Sequence, residues 1–230
     1  MNGYDAVLFD LDGVLTSTAS VHARCWKIVF DEVLEEWTRR TGLAQEPFDI
    51  EDEYLAYVDG KPREDGVRDF LDARGVRDYD VRAIAVLKQA LVEGALRRNG
   101  VEAFPGSVSW VLHLRRTGVR TAVVSSSANC DDVLRAAGIA GLFELTVDGH
   151  DIAELGLRGK PAPDGFLEAA WRLGVAPGRA VVVEDALAGV TAGRDGDFGL
   201  VIGVARTAKP EALRAAGADL VVTDLGELTP

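Results

Sequence analysis

Short apolar runs recur along the chain at Ala6–Phe9, Thr121–Val124, Ala180–Val183, Leu200–Val204 and Leu220–Val222. Each is rich in β-branched residues and too short for a buried helix, which predicts strands covered on both faces. Between them lie segments with helical spacing of apolar positions: Val108–Thr117, Asp131–Ala137, Phe166–Leu173 and Glu211–Ala216. Each ends at a glycine (Gly118, Gly138, Gly174, Gly217), the residue that leaves a helix most easily in a left-handed turn. Strand alternating with helix predicts an α/β fold, a doubly wound, Rossmann-type parallel sheet with helices on both sides. Ligands of such sheets bind at the carboxyl ends of the strands.

The alternation fails between residues 18 and 98. Four helical patterns follow one another there, at Val21–Arg39, Glu51–Val58, Gly66–Arg74 and Val81–Arg98. In the first, Trp26, Val29, Phe30, Val33, Leu34 and Trp37 form one apolar stripe. The expected organisation is a core of residues 1–17 and 99–230 interrupted by an inserted helical cap, 18–98. Trp110 and Trp171 fall in amphipathic core helices and are expected inside.

Charge narrows the partners. The 230 residues carry 25 Lys+Arg against 37 Asp+Glu, a net charge of -12. No basic stripe offers itself to a phosphate backbone, so nucleic acid is not an expected partner. An anionic small molecule would be repelled at long range and needs local cations or a metal where it binds. The amino-terminal stretch lacks a basic, apolar leader, and no apolar run approaches the ~20 residues of a membrane span. Cys25 and Cys130 are far apart with no CxxC spacing, which fits a reducing cytoplasm and no thiolate metal site. Nothing in the pattern requires more than a monomer.

The chemistry gathers at strand ends. Asp10 and Asp12 follow the first strand, and in extended chain positions i and i+2 point the same way. Two convergent carboxylates can hold Mg²⁺, or divide into a nucleophile and a proton carrier. They are also compatible with a plain solvated turn. Ser125, Ser126 and Ser127 end the second run, with Asn129 as a candidate helix cap. Lys160 lies in Gly-Lys-Pro-Ala-Pro, where proline restricts the loop. Glu184 and Asp185 end the Ala180–Val183 run and would complete an all-oxygen metal site. No GxxxxGK[ST], GxGxxG or HExxH occurs, so nucleotide and zinc-hydrolase readings have no support.

In combination, DLDGVLT, the apolar run ending in serine, GKPAPDGF and VVVEDALAGV resemble the four motifs of the haloacid dehalogenase superfamily. The resemblance spans most of the chain. It implies Asp10 as the nucleophile that forms an aspartyl-phosphate and Asp12 as general acid/base. Ser125 and Lys160 would bind the transferring phosphoryl group. Mg²⁺ would be held by Asp10, the Asp12 carbonyl and Asp185, with Glu184 nearby. The second aspartate distinguishes the phosphoryl-transfer branch from the dehalogenases.

Within the cap, Thr18, His22 and Trp26 share a helix face, Lys88 adjoins the Ile84/Leu87/Leu91 stripe, and Gly60–Gly66 carries Lys61 and Arg63 at a helix start. Snorkelling of Lys88 and a satisfied boundary histidine at His22 are the bland alternatives. Together these positions resemble the cap of β-phosphoglucomutase-like proteins. That resemblance implies that Arg63 grips a non-transferring phosphate, while His22, Trp26 and Lys88 line the sugar side of a small phosphorylated sugar; Thr18, Ser126 and Asn129 are further candidate substrate contacts. The expected reaction is interconversion of β-glucose 1-phosphate and glucose 6-phosphate; the alternative is a sugar-phosphate phosphatase. Two departures stand out: Ala128 where the mutases commonly carry lysine, and Ala186 where serine often follows the acidic pair. The Asp148–Arg158 stretch is also longer than in compact mutases.

Overall fold

The computed structural model describes residues 3–229. Six strands form one parallel sheet in the order β3-β2-β1-β4-β5-β6. They are β1 (Ala6–Phe9), β2 (Arg120–Val124), β3 (Leu145–Val147), β4 (Ala180–Glu184), β5 (Leu200–Val204) and β6 (Leu220–Val222). Phe9 is level with Val123 on one side and Val183 on the other. That register brings the ends of β1, β2 and β4 to the same edge, and the site is built there.

Nine α-helices accompany the sheet among the described residues. α1 (Ala19–Thr41), α2 (Arg63–Ala73) and α3 (Val81–Asn99) follow β1. α4 (Pro105–Arg116) precedes β2, and α5 (Cys130–Ala136) follows it. α6 (Gly149–Glu154) and α7 (Asp164–Leu173) follow β3. α8 (Leu187–Asp195) and α9 (Pro210–Ala216) follow β4 and β5.

Alternating strand residues feed two separate cores, as a period of two requires. Val7, Phe9, Val123, Val181 and Val183 face Trp110 and Leu114 of α4 and Val133 and Leu134 of α5. Leu8, Ala122, Val124 and Val182 face Phe166, Ala169 and Leu173 of α7. Phe9 meets Trp110 edge to face, with ring centroids 5.5 Å apart, a favoured aromatic geometry. A third core belongs to α1–α3 and the segments between them: Trp26, Phe30, Phe48 and Phe70 pack together, with Trp26 stacked on Phe30 at 4.9 Å. Each such buried ring contributes roughly 2–3 kcal/mol, so the inserted helices have an apolar core of their own.

The doubly wound sheet is as the sequence pattern predicts, with corrections. β3 and α6 are absent from the pattern reading. Leu-Thr-Val is too short to show a period, and α6 is the regular part of the long Asp148–Arg158 stretch. Glu51–Val58 is helical as expected, but its last five residues, Tyr54–Val58, wind as a π-helix and not an α-helix. Trp110 is fully buried, whereas Trp171 on α7 is 75% exposed; it lies opposite the face formed by Phe166, Ala170 and Leu173. No described helix is long and apolar enough to cross a membrane.

Candidate active site

The Asp10 amide donates to the Val183 carbonyl at 2.9 Å, extending the β1–β4 ladder by one residue and fixing the carboxylate at the sheet edge. The chain then turns at Gly13, whose φ of +85° suits glycine. Lys160 reaches in from the loop before α7. Its ammonium donates to Asp10 Oδ1 at 2.5 Å, Glu184 Oε1 at 2.6 Å and the Val124 carbonyl at 3.2 Å. All three of its protons are thereby used. Burial alone would favour neutral Lys160, but Asp10 and Glu184 outweigh it and hold the ammonium above its usual range.

Glu184 is fully committed. Besides Lys160, its Oε2 accepts the backbone amides of Asp185 and Ala186, both at 3.0 Å. Asp185 is buried, yet its carboxylate accepts no hydrogen bond from any described residue. Carboxylate oxygens of Asp10, Glu184 and Asp185 lie within 4.8 Å of one another. Burial, and then the neighbouring carboxylates, raise Asp185 well above the ordinary range. Burial likewise raises Asp10, with Lys160 opposing it. A buried, oxygen-only cluster with one uncommitted carboxylate and a single ammonium fits a hard divalent cation.

Asp12 turns away from this cluster. Thr18, at the start of α1, donates its hydroxyl to Asp12 Oδ1, and His22 Nε2 is 3.7 Å from the same oxygen. On the other side of the ring, Lys88 Nζ lies 2.9 Å from His22 Nδ1 and 4.8 Å from the Trp26 ring centroid. An ammonium donating to Nδ1 leaves the proton of neutral His22 on Nε2, facing Asp12. Burial and Lys88 depress His22 to about 4, and burial depresses Lys88 to about 7 despite Asp12. Lys88 is 2% exposed, which rules out snorkelling.

Ser125, Ser126 and Ser127 line the same cavity as Asp10 and Arg63. Ser125 is held through its amide by the Val147 carbonyl, and its Oγ accepts the Ser127 amide at 3.1 Å. Ser126 Oγ donates to the Gly60 carbonyl at 2.8 Å, so it ties the core to the inserted segment. Asn129 stands at the start of α5 but makes no side-chain cap; its Oδ1 is taken by Gln89 at 2.5 Å. Arg63 donates to the other end of Gln89. The space left between these side chains is small, about 50 Å³, room for one or two waters.

Two residues, Asp59 and Gln89, escaped the sequence reading. Asp59 is buried at the end of the π-helix and lines the cavity beside Tyr54. Burial, then Glu184, lifts Asp59 to about 7 against the opposing Tyr54 hydroxyl. Its place in Asp-Gly-Lys-Pro was a visible signal, but the basic residues after it drew attention. Gln89 gave none, since a glutamine on a helix is ordinarily solvated.

The profile described as haloacid dehalogenase-like hydrolase matches residues 4–197. The chain is 47% identical to beta-phosphoglucomutase of Mycobacterium bovis, over 97% of this chain and 90% of that protein. It is 34% identical to hexitol phosphatase A of Escherichia coli, over 96% and 92% respectively. Among solved structures, beta-phosphoglucomutase of Clostridium difficile superposes with a TM-score of 0.77 at 23% identity, covering 98% of this chain and 93% of that one. At that identity the likeness concerns the fold.

Proposed function

The chain belongs to the haloacid dehalogenase-like hydrolases, and from that premise we propose that it is a β-phosphoglucomutase, interconverting β-glucose 1-phosphate and glucose 6-phosphate. Its membership makes it an enzyme of phosphoryl transfer; the sugar and the acceptor are what the proposal adds. The observation that carries it is the placement of Arg63 and Lys88 on the inserted helices, lining the cavity that also holds Asp10. A substrate with phosphate at both ends has a nucleophile at one end and cations at the other.

In this reading, residues 18–98 are the cap and residues 1–17 and 99–230 the catalytic core. Asp10 attacks phosphorus through the oxygen not bound to Lys160, and the P–O bond to the sugar breaks. Asp12 supplies the proton to the leaving sugar oxygen and recovers one from the attacking hydroxyl. Lys160 and Ser125 hold the phosphoryl oxygens, positioning being most of the catalysis in this chemistry. Mg²⁺, when bound, neutralises charge on the transferring group. Asp10, Asp185 and the Asp12 carbonyl are its proposed ligands, with Glu184 holding Lys160 and the Asp185 loop in place. The phosphoryl group of phospho-Asp10 passes to the 6-hydroxyl of β-glucose 1-phosphate. The resulting bisphosphate turns over, and its 1-phosphoryl returns to Asp10. Thr18 and His22 position Asp12, Trp26 and Lys88 meet the sugar, and cap closure keeps water from the aspartyl-phosphate.

The second reading, a small sugar-phosphate phosphatase, is favoured by Ala128, which supplies no cation, and by the relationship to hexitol phosphatase A. ³¹P NMR separates the two. With Mg²⁺, β-glucose 1-phosphate and a trace of glucose 1,6-bisphosphate, the mutase yields glucose 6-phosphate without free phosphate. Steady release of inorganic phosphate overturns that assignment in favour of the phosphatase.

A further inference from the structure

Gln89 on α3 makes three hydrogen bonds, two within the inserted helices and one to the core. Its Oε1 accepts from Arg63 Nη1. Its Nε2 donates to Glu93 Oε1 at 2.8 Å and to Asn129 Oδ1 at 2.5 Å. The polarity of this chain is fixed from its ends. Arginine has only donors, so Gln89 must turn its oxygen toward Arg63, and the Gln89 amide nitrogen then faces the Glu93 carboxylate oxygen. Asn129 can then meet that nitrogen only with its own oxygen.

The consequence is a surface of donors. Asn129 is 8% exposed, and its Nδ2 is buried without a partner. Nε and Nη2 of Arg63 meet no acceptor among the described residues. The acceptor atoms between the two side chains are used up by Gln89, while their remaining N–H groups are unspent. A buried donor left unpaired costs roughly 1–3 kcal/mol, so the arrangement calls for a ligand rich in lone pairs. A phosphate dianion supplies them.

We infer that Gln89 is a positioning residue that holds Arg63 and Asn129 as a paired donor site for the second phosphate of a sugar bisphosphate. The inference deepens the mutase reading and rests on it. It also accounts for how such a site works with Ala128 contributing no cation: geometry fixed across the core–cap boundary takes the place of a charge. Because Gln89 draws on both sides of that boundary, the site exists only when the cap is closed.

The test measures binding without turnover. In Asp10→Asn protein with Mg²⁺, calorimetry compares glucose 1,6-bisphosphate, glucose 6-phosphate and inorganic phosphate. Gln89→Met keeps the shape and length of the side chain but none of its polarity; Gln89→Glu keeps the acceptor for Arg63 and loses the donor for Asn129. Both substitutions are expected to weaken bisphosphate at least about tenfold while inorganic phosphate binds as before. Arg63→Ala should do the same, and Gln89→Met on top of it should add little. If the parent binds bisphosphate no tighter than monophosphate, the second-phosphate site and the mutase reading fail together. If it binds bisphosphate tightly and Gln89→Met leaves that preference intact, the role of Gln89 alone is overturned. Equal weakening of all three ligands would make Gln89 a general packing residue and also overturns the inference.

Discussion

Asp185 occupies the space that a side chain on Gly13 would need: a β-carbon built there would overlap the Asp185 carboxylate. The turn after the two aspartates and the loop after β4 are thus matched in shape. Gly13 also has a φ of +85°, so alanine there is opposed by backbone strain as well as by contact. Gly13→Ala should push the Asp185 carboxylate out of the metal cluster. Isothermal titration with Mg²⁺ is expected to show affinity reduced at least about tenfold, with the thermal midpoint lowered modestly. Unchanged Mg²⁺ affinity would remove Asp185 from the proposed ligands.

Lys88, depressed to about 7 by burial, gives a prediction in pH. The unfolded lysine titrates near 10.4, so between pH 7 and that value the unfolded chain binds more protons and stability rises with pH. Binding of an anionic sugar phosphate runs the other way, because it needs the ammonium. The kcat/KM profile of the free enzyme should therefore fall as pH rises through about 7. In Lys88→Met that descending limb should disappear, with activity lower throughout. A limb of unchanged position in the variant would show that another group titrates there.

The strand ends were legible because each reactive side chain follows a short apolar run, and a parallel sheet brings such positions together. Asp10, Ser125 and Glu184 meet as that rule requires, whereas Lys160 reaches them from the loop before α7. The division of labour between Glu184 and Asp185 was not legible. It depends on the Glu184 carboxylate receiving two backbone amides, a fact of loop geometry. Asp59 and Gln89 were hidden for a related reason: their surroundings come from segments distant in the chain. Trp171 misled because one tryptophan on an amphipathic helix says little about which edge of the stripe it occupies. Arg63, by contrast, was visible in sequence yet bound to an unexpected partner.

Asp59 adds a buried carboxylate to a cluster already rich in them. Its folded-state value of about 7 stands above the ordinary 3.8. Between those values the folded protein holds a proton that the unfolded chain has lost, so this contribution to stability is present below about pH 4 and lost as pH rises through 7. Without metal, Asp59→Asn should be more stable than the parent at pH 8, by on the order of a few kcal/mol, with the difference vanishing near pH 4. Denaturant midpoints at the two pH values check this. Equal destabilisation at both would mean that Asp59 is held by hydrogen bonds that the amide cannot replace.

In the proposed cap-and-core reading, Gly60 limits how closely the cap can approach the core. Its carbonyl accepts from Ser126 at 2.8 Å, and a β-carbon added to it would lie 2.9 Å from that of Ala186. Neither neighbour is the flexible end of a long side chain, and Gly60 has a φ of +71°. Gly60→Ala should therefore hold the cap slightly off the core, at a cost of about 1–2 kcal/mol to closure. Asp10, Ser125, Lys160 and Asp185 all lie outside residues 18–98, so phospho-Asp10 is expected still to form, but water now competes with the sugar hydroxyl. The ratio of inorganic phosphate to glucose 6-phosphate, read in one ³¹P spectrum, should rise about tenfold. A variant slower in both products with an unchanged ratio would show that closure governs the rate of reaction and not the choice of acceptor.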